Sequence, residues 1–291
     1  MILVTGASGH FGAAAINYLI EKGIKSNQIK ALVRNEQAAN VFAEKSVNTV
    51  IADYDNYNSL IAAFEGVEKL LFISSSDLIK RLSQHENVIK AAKEAGVKHI
   101  VYTSFLRKNE SETSPLWMVA QSHIQTEKWL KESNIDFTIL KNNLYLDFLP
   151  GFIGEKVLET GVIYVPAENG KISAVLRAEM AEAAANILTT ENHQNKIYHF
   201  TNTNAVSYPE IANYISKFSG KTINYISPKA EDYKKTLSNY GLPAEAIEVF
   251  SAFAVAQAQG ELDQENSDLE KLLGRNPTSI FDFLKQIYTK A

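Results

Sequence analysis

The chain has no cysteine, which excludes disulfides, thiol nucleophiles and thiolate metal sites. Its histidines, at positions 10, 85, 99, 123, 193 and 199, show neither His-x-His nor His-Glu-x-x-His spacing, so no metal site is expected. No Gly-x-Ser-x-Gly elbow announces a hydrolase nucleophile. No apolar run approaches the roughly 20 residues of a membrane span. Long basic runs are also lacking, and 29 Lys+Arg against 33 Asp+Glu leave a net charge of −4, which argues against a nucleic-acid partner. What remains is 291 residues, 45% of them hydrophobic, enough for one large domain or two smaller ones with a sizeable core.

The most informative stretch opens the chain. An apolar strand from Ile2 runs into Gly6-x-x-Gly9-x-x-Gly12, and a helical pattern follows (Ala13, Ala14, Ile16, Tyr18, Leu19, Ile20). The glycines permit a tight turn, close backbone approach to a pyrophosphate, and close packing of helix on strand. The helix then presents free N–H groups and its positive dipole end to an anion. The loop Gly6, Ala7, Ser8, Gly9, His10, Phe11 and Gly12 therefore reads as a dinucleotide phosphate cradle.

Strands and helices alternate through the first 140 residues. Ile2–Thr5, Ile29–Val33, Asn48–Ala52, Lys69–Ser74, His99–Ser104 and Asp136–Lys141 read as strands. Gly9–Lys22, residues 36–45, Ser59–Phe64, residues 80–95 and residues 119–132 read as helices. This pattern predicts an α/β fold, a doubly wound parallel sheet of Rossmann type, with the cofactor across the carboxyl ends of the strands. After residue 150 the alternation lapses. Gly161–Pro166, Tyr198–Thr201 and Thr222–Ile226 are short strand candidates. Arg177–Thr189, a helix opened by the capping box Ser207-x-x-Glu210, Pro243–Gln257 and Ile280–Tyr288 are helical. We therefore expect a nucleotide-binding domain over 1–150 and a smaller mixed α/β substrate lobe over 151–291, with some segments returning to the main sheet.

Nucleotide choice is read at the end of the second strand. An NAD site usually places Asp or Glu there for the ribose 2′-OH; this chain has Val33-Arg34-Asn35. Arg34 can pair with a 2′-phosphate and stack on adenine, which points to NADP(H), with NAD(H) left open by nearby Glu36. Asp53 is placed either to accept from the adenine amino group or to cap the next helix. With the first strand beginning at Ile2 and no signal peptide in view, the expected location is the cytoplasm, where NAD(P)H is available.

These pieces together resemble the atypical short-chain dehydrogenase/reductases, within them the NmrA-like group, and in particular the type 2 NAD(P)H:quinone oxidoreductases. The resemblance runs over nearly the whole chain. It is carried by Val4-Thr5-Gly6-Ala7-Ser8-Gly9-His10-Phe11-Gly12, Leu32-Val33-Arg34-Asn35, Leu70-Leu71-Phe72-Ile73-Ser74-Ser75, Gln84-His85-Glu86-Asn87-Val88-Ile89, Tyr102-Thr103-Ser104, His123-Ile124-x-Thr126-Glu127, Leu140-Lys141-Asn142-Asn143 and Leu272-Leu273-Gly274-Arg275. It implies a two-lobed protein that binds NADPH between the lobes and reduces quinones by two electrons without flavin. By position it implies phosphate contacts from the glycine loop and a 2′-phosphate contact from Arg34. Ser74, Ser75 and Ser76 would border the cofactor, with Thr103 and Ser104 near the ribose and nicotinamide. Lys141, Asn143 and Leu144 stand where that group often shows Arg, Gly and Trp, and the last two touch the expected acceptor pocket.

Ordinary short-chain dehydrogenases protonate a carbonyl with the Tyr of a Tyr-x-x-x-Lys pair on the helix after the fifth strand, the Lys lowering the Tyr pKa. Here that helix carries His123 and Glu127 at the spacing, and the matches Tyr18-x-x-x-Lys22 and Tyr225-x-x-x-Lys229 fall in the wrong places. A quinone needs no strong acid, because hydride arrival yields an aromatic hydroquinone anion that solvent can protonate, so proximity and orientation suffice. Asn142, Tyr145 and His123 are the candidates to orient the acceptor. His123 is either a proton donor or a surface residue, and Asn142 either a nicotinamide contact or a turn former. Tyr145, Phe148 and Phe152 line an apolar acceptor pocket or belong to the core between lobes. Two other readings fit the missing pair: reduction of an azo or triphenylmethane dye, and a non-catalytic NAD(P)-binding sensor of the NmrA type. The state expected is monomer or homodimer.

Overall fold

The first strand is short and wholly buried, as a central parallel strand must be. In a computed structural model describing residues 1–264 and 266–289, β1 (Ile2–Val4) leads into α1 (His10–Glu21), followed by β2 (Ile29–Val33), α2 (Glu36–Ala43), β3 (Asn48–Ile51), α3 (Tyr57–Phe64), β4 (Lys69–Phe72), α4 (Arg81–Glu94), β5 (His99–Phe105), α5 (Trp117–Glu132) and β6 (Asp136–Asn142). Beyond it come α6 (Leu149–Ile153), α7 (Val157–Thr160), β7 (Val162–Tyr164), β8 (Lys171–Ile172), α8 (Arg177–Thr189) and β9 (Lys196–Phe200). The chain continues through β10 (Val206–Ser207), α9 (Tyr208–Ser219), β11 (Asn224–Ile226), α10 (Ala230–Asn239), α11 (Ala244–Ala258), α12 (Leu269–Leu273) and α13 (Ile280–Tyr288).

The main sheet has the order β3-β2-β1-β4-β5-β6-β9, every pairing parallel. The strand order reverses between β1 and β4, and the crevice outside their carboxyl ends is where such sheets take ligands. One face is packed by α1 and α8 through Phe11, Ile16, Leu19, Met180 and Ile187, the other by α3, α4 and α5 through Leu60, Phe64, Val88, Ala92 and Leu130. A third cluster, including Leu146, Phe152, Ile163, Tyr208 and Ile211, forms the core of the second lobe and reaches Phe105 and Val119 of β5 and α5.

Three elements from the second half lie in the layer built by the first. β9 pairs with β6, α8 packs beside α1, and Leu269 of α12 joins the core on that face. The capping box on α9 forms with both of its hydrogen bonds. The expected strand over Thr222–Ile226 is β11, which pairs with β7 in a separate two-stranded sheet rather than with the main one. The sequence reading did not anticipate α10, whose composition is polar on most sides and which buries only Tyr233. Among the described residues no helix is long and apolar enough to cross a membrane, and no cluster of three or more His, Asp or Glu is arranged to hold a metal.

Candidate active site

A single cleft of about 1170 Å³ runs from the glycine loop and Arg34 to an aromatic inner end between the lobes. Its floor is set by backbone geometry. Gly6 turns at φ +55°, Gly9 N–H donates to Gly6 O at 3.0 Å, and Ala7 N–H donates to Leu32 O at 3.3 Å. Thr5 locks this turn to the neighbouring strand, its hydroxyl donating to Leu71 O (3.2 Å) and accepting from Ile73 N–H (2.9 Å). Helix α1 starts at Gly9 with no side-chain cap and no acidic residue in its first turn. The first N–H groups of a helix have no partner within it, so these amides face the cleft ready for an anion. A Cβ on Gly12 would lie 2.4 Å from Gly6 O and 2.8 Å from Ala7 Cα, so glycine there is what lets α1 start so close to β1.

At the adenosine end, exposed Arg34 follows buried Val33, and Asn35 rather than Arg34 is spent on the helix cap, accepting from Ala38 N–H at 2.8 Å. Asp53 lines the same end. The capping alternative for Asp53 is resolved: Asn56 caps α3, and Asp53 Oδ1 accepts from Asp55 N–H at 2.9 Å in a local turn.

The inner end gathers Ser104, Phe105, His123, Asn142, Tyr145, Phe148 and Phe152 with Arg81, Phe250 and Phe253. His123 is 4% exposed, which excludes the surface reading. Burial, reinforced by the Arg81 charge, holds its pKa well below the usual imidazole range. Its Nδ1 lies 2.6 Å from Tyr102 Oη and its Nε2 3.4 Å from Arg81 Nη1. A guanidinium only donates, so Nε2 is the bare nitrogen and Nδ1 carries the proton toward Tyr102. A neutral ring in that tautomer has no proton to give an acceptor in the cleft, which weighs against His123 as the proton donor. The burial that brings it into the site leaves the ring without its second proton at neutral pH.

Below His123, His85 Nε2 accepts from Ser75 N–H at 3.0 Å. Thr126 spends its hydroxyl proton on Ser122 O, so His85 Nδ1–H must donate to Thr126 Oγ1, 2.8 Å away. Such a ring must be neutral, and burial with the Arg81 charge pushes its pKa down to about 3. One turn further along the same face of α5, Glu127 receives Arg107 Nη1 and Nη2 at 2.9 and 3.0 Å and the Ser104 hydroxyl. The helix that elsewhere would carry the Tyr-Lys pair is thus anchored by a buried ion pair. Tyr225 Oη donates to Val165 O in the second lobe and Tyr18 lies on α1 against α8, neither on the cleft.

Asn142, the last residue of β6, is 3% exposed, and neither its Oδ1 nor its Nδ2 has a partner among the described residues. A turn-forming Asn would spend its side chain on nearby backbone; this one is buried and polar on the wall of the cleft, with the Tyr145 phenol as its polar neighbour. Its neighbour Asn143 is committed internally, donating to Leu262 O at 3.1 Å and accepting from Leu144 N–H. Phe148, 47% exposed, is cleft wall stacked under Arg177, whereas Phe152 serves both readings, packed in the second core and against Phe250 with ring centroids 4.7 Å apart.

Two expected contacts do not face the cleft. Ala7 is wholly buried beneath the loop, and Thr103, 1% exposed, instead braces the loop after β4 by accepting from Ser74 N–H at 2.9 Å. Ser74, Ser75 and Ser76 do border the cleft. The sequence reading missed Arg81, Tyr102, the Arg107–Glu127 pair and the α11 wall. For Arg81 a signal existed: positions 81, 85, 88 and 92 form the buried stripe of α4, and a charge in that stripe is out of place.

The NmrA-like family matches residues 1–284 of this chain. The chain belongs to the NmrA-like family. It is 37% identical over 289 residues to quinone oxidoreductase 2 of Escherichia coli, covering 99% of each chain. The structure of the NADPH-dependent quinone oxidoreductase of Escherichia coli complexed with NADPH superposes with a TM-score of 0.92 at 36% identity, over 99% of this chain and 100% of that one. The Citrobacter sp. triphenylmethane reductase complexed with NADP(H) superposes with a TM-score of 0.91 at 38% identity, over 98% and 99%.

Asn142 offers a direct check on the site. An unpaired buried polar group costs about 1–3 kcal/mol. Asn142→Leu should therefore leave the Tm of the free protein at or above that of wild type. It should weaken nucleotide or acceptor binding by about tenfold, the worth of one good hydrogen bond. Calorimetric melting with equilibrium binding checks both; a lower Tm with unchanged binding would make Asn142 a structural residue.

Proposed function

We propose that this chain reduces quinones with a hydride from NADPH, without a flavin. The observation that carries the reading is the cleft itself: the first amides of α1 and an exposed Arg34 at one end, and at the other, within an aromatic wall, a buried Asn142 whose polar atoms meet no hydrogen-bond partner among the described residues. The residues fit the nucleotide. The glycine loop and the start of α1 would hold the pyrophosphate, Arg34 the 2′-phosphate, and Asn142 the nicotinamide amide, whose donor and acceptor match the two free atoms of Asn142.

Bound there, NADPH supplies the hydride. One hydride and one solvent proton convert quinone to hydroquinone as NADPH becomes NADP⁺. The protein's part is positioning: Tyr145, Phe148, Phe152 and Phe250 wall a planar acceptor and exclude water, and Asn142 sets the nicotinamide against it. Neither His123, held neutral, nor Tyr145, whose phenol is pushed above its usual pKa by burial, is a ready acid at neutral pH. An acceptor that becomes an aromatic anion is what such a site can reduce. Dye reduction is the second reading, favoured by near-equal likeness to the Citrobacter enzyme. The cleft is built within one chain, so monomer and homodimer both serve, and the cytoplasm is the compartment that supplies NADPH.

The test follows loss of the near-ultraviolet absorbance of NADPH with and without a small benzoquinone, for wild type and Arg34→Ala. Saturable quinone-dependent oxidation is expected. Arg34→Ala should raise the Kd for NADPH by roughly 10–100-fold, the range for a charged hydrogen bond, and leave that for NADH nearly unchanged. Tight nucleotide binding with no turnover on quinones or dyes would replace this reading with the sensor. An unchanged nucleotide preference in the variant would remove Arg34 from the 2′-phosphate site.

A further inference from the structure

The chain has five arginines. Arg107, Arg177 and Arg275 each pair with carboxylates. Arg34 stands exposed at the adenosine end of the cleft. Arg81 is different from all four. It is 7% exposed and joins no ion pair among the described residues. Its Nε donates to Ser75 O at 2.6 Å, and its Nη1 approaches the bare Nε2 of His123 at 3.4 Å. Both partners are neutral. Asp77 is the nearest acidic influence, yet it lies beyond ion-pair distance and its Oδ1 accepts from Ile79 and Lys80 N–H.

A buried cation without a counter-charge is costly. Arg81 does not escape by losing its proton: burial lowers its pKa, but a guanidinium stays charged at any physiological pH. Its place explains what the charge faces. His123 holds the position of the missing catalytic Tyr, and Arg81 reaches the cleft beside it, near Tyr145 and opposite the apolar wall. The nucleotide's phosphates are provided for elsewhere, at the glycine loop and at Arg34. Of the carboxylates lining the cleft, Asp77 is turned to backbone N–H groups and Glu245 stands on the α11 wall, neither in an ion pair with Arg81 among the described residues, and the negative charge the proposed reaction develops beside Arg81 is on an acceptor oxygen.

We propose that Arg81 is a catalytic residue that binds the acceptor oxygen as it becomes an anion, and that it sets acceptor choice by admitting neutral quinones and disfavouring cationic dyes. His123 is then a positioning residue: its Nε2 and the Ser75 carbonyl fix two sides of the guanidinium, and Tyr102 fixes the ring. This inference rests on the quinone-reduction reading.

The experiment uses Arg81→Gln and Arg81→Lys, with two readouts. The first is equilibrium binding, to the NADP⁺-loaded protein, of 4-nitrophenolate and of its neutral methyl ether. Wild type should prefer the phenolate by at least about tenfold, Arg81→Lys should retain part of that preference and Arg81→Gln should lose it. The second is kcat/KM for a benzoquinone and for a cationic triphenylmethane dye. Arg81→Gln should lower the quinone value by about 100-fold, as removal of an oxyanion donor does, while the dye value holds or rises and the Kd for NADPH stays within about twofold. Wild type with no preference for the phenolate would overturn the proposal. So would equal losses on quinone and dye, or a fall in NADPH affinity that accounts for the kinetic loss. If wild type turns over no quinone, the functional reading fails, and the phenolate measurement still decides whether Arg81 is an anion site.

Discussion

Glu127→Leu is expected to lower the unfolding free energy by about 3 kcal/mol, whereas Glu110→Ala changes it by less than about 1 kcal/mol. Both carboxylates touch Arg107, at 2.9 and 3.0 Å, so distance does not separate them. Burial does. Glu127 and Arg107 side chains are 6% and 1% exposed, while Glu110 is 51% exposed. Removing Glu127 leaves the buried guanidinium with only the exposed Glu110 as counter-charge, and a truncated partner in a buried pair is more damaging than the pair itself is helpful. The same pair ties α5 to the end of β5, since Arg107 also donates to Phe105 O at 2.8 Å and Glu127 takes the Ser104 hydroxyl. His123 lies one turn earlier on that helix, so turnover should fall along with stability. A double variant, Arg107→Met with Glu127→Leu, should recover most of the stability. Equal effects from Glu127→Leu and Glu110→Ala in thermal and denaturant unfolding would refute the anchor.

The pH dependence follows with a definite sign. Desolvation raises the Glu127 pKa, but the Arg107 hydrogen bonds and charge and the Ser104 hydroxyl outweigh it, and the net shift is downward. A carboxylate depressed in the folded state contributes stability that is fully present above its unfolded pKa and lost as pH falls through the folded one. The stability difference between wild type and Glu127→Leu should therefore be constant near neutrality and shrink in acid.

The legible parts of this molecule were the local ones. The glycine loop, the strand–helix alternation and Arg34 after Val33 depend on spacing over a few residues, and each stands in the structure where the spacing put it. His123 was legible by its place on α5 but not by its state. Its neutrality comes first from burial and then from the Arg81 charge, and its orientation from Tyr102; Arg81 and Tyr102 are 42 and 21 positions away, and only the packing of α4 on α5 and β5 brings them beside it. The aromatic wall from α11 was hidden for the same reason: Phe250 and Phe253 read as an ordinary apolar helix face until the second lobe folds over β6. Thr103 and Ala7 erred the other way. They lie within motif segments, but strand alternation and loop curvature turn their side chains inward, a matter of face that motif matching does not record. The small sheet of β7 and β11 depends on a register set across the whole of α8, β9 and α9, which no local pattern carries.

Gly12→Ala should raise the Kd for NADPH by at least about 100-fold, the loss that follows when binding groups shift by about an ångström, and should lower stability by about 1–3 kcal/mol through overpacking. The added methyl would stand 2.4 Å from Gly6 O, 2.8 Å from Ala7 Cα and 2.9 Å from Gly6 C. All three are backbone atoms, so no side chain can swing aside. Gly6 cannot give way either, held at φ +55° with Ile73 packed against it. The strain must be relieved by pushing α1 off the end of β1, yet Ala15, Ile16 and Leu19 are fully buried and α1 is backed by α8. Whatever movement occurs carries the free amides of the α1 start away from the pyrophosphate position. Gly9→Ala separates the two effects. Gly9 has φ −79° and ψ 164°, open to any residue, and its added Cβ would meet only Gly6 O, at 3.3 Å. That variant should melt with wild type, to within about 0.5 kcal/mol, so a loss of nucleotide binding in it reports crowding of the phosphate and not a displaced helix. Titration of both variants with NADPH alongside thermal melting decides the matter. A Gly12→Ala protein that binds NADPH like wild type would mean that α1 can retreat without moving its amides, and the phosphate site would then have to lie elsewhere on the cleft.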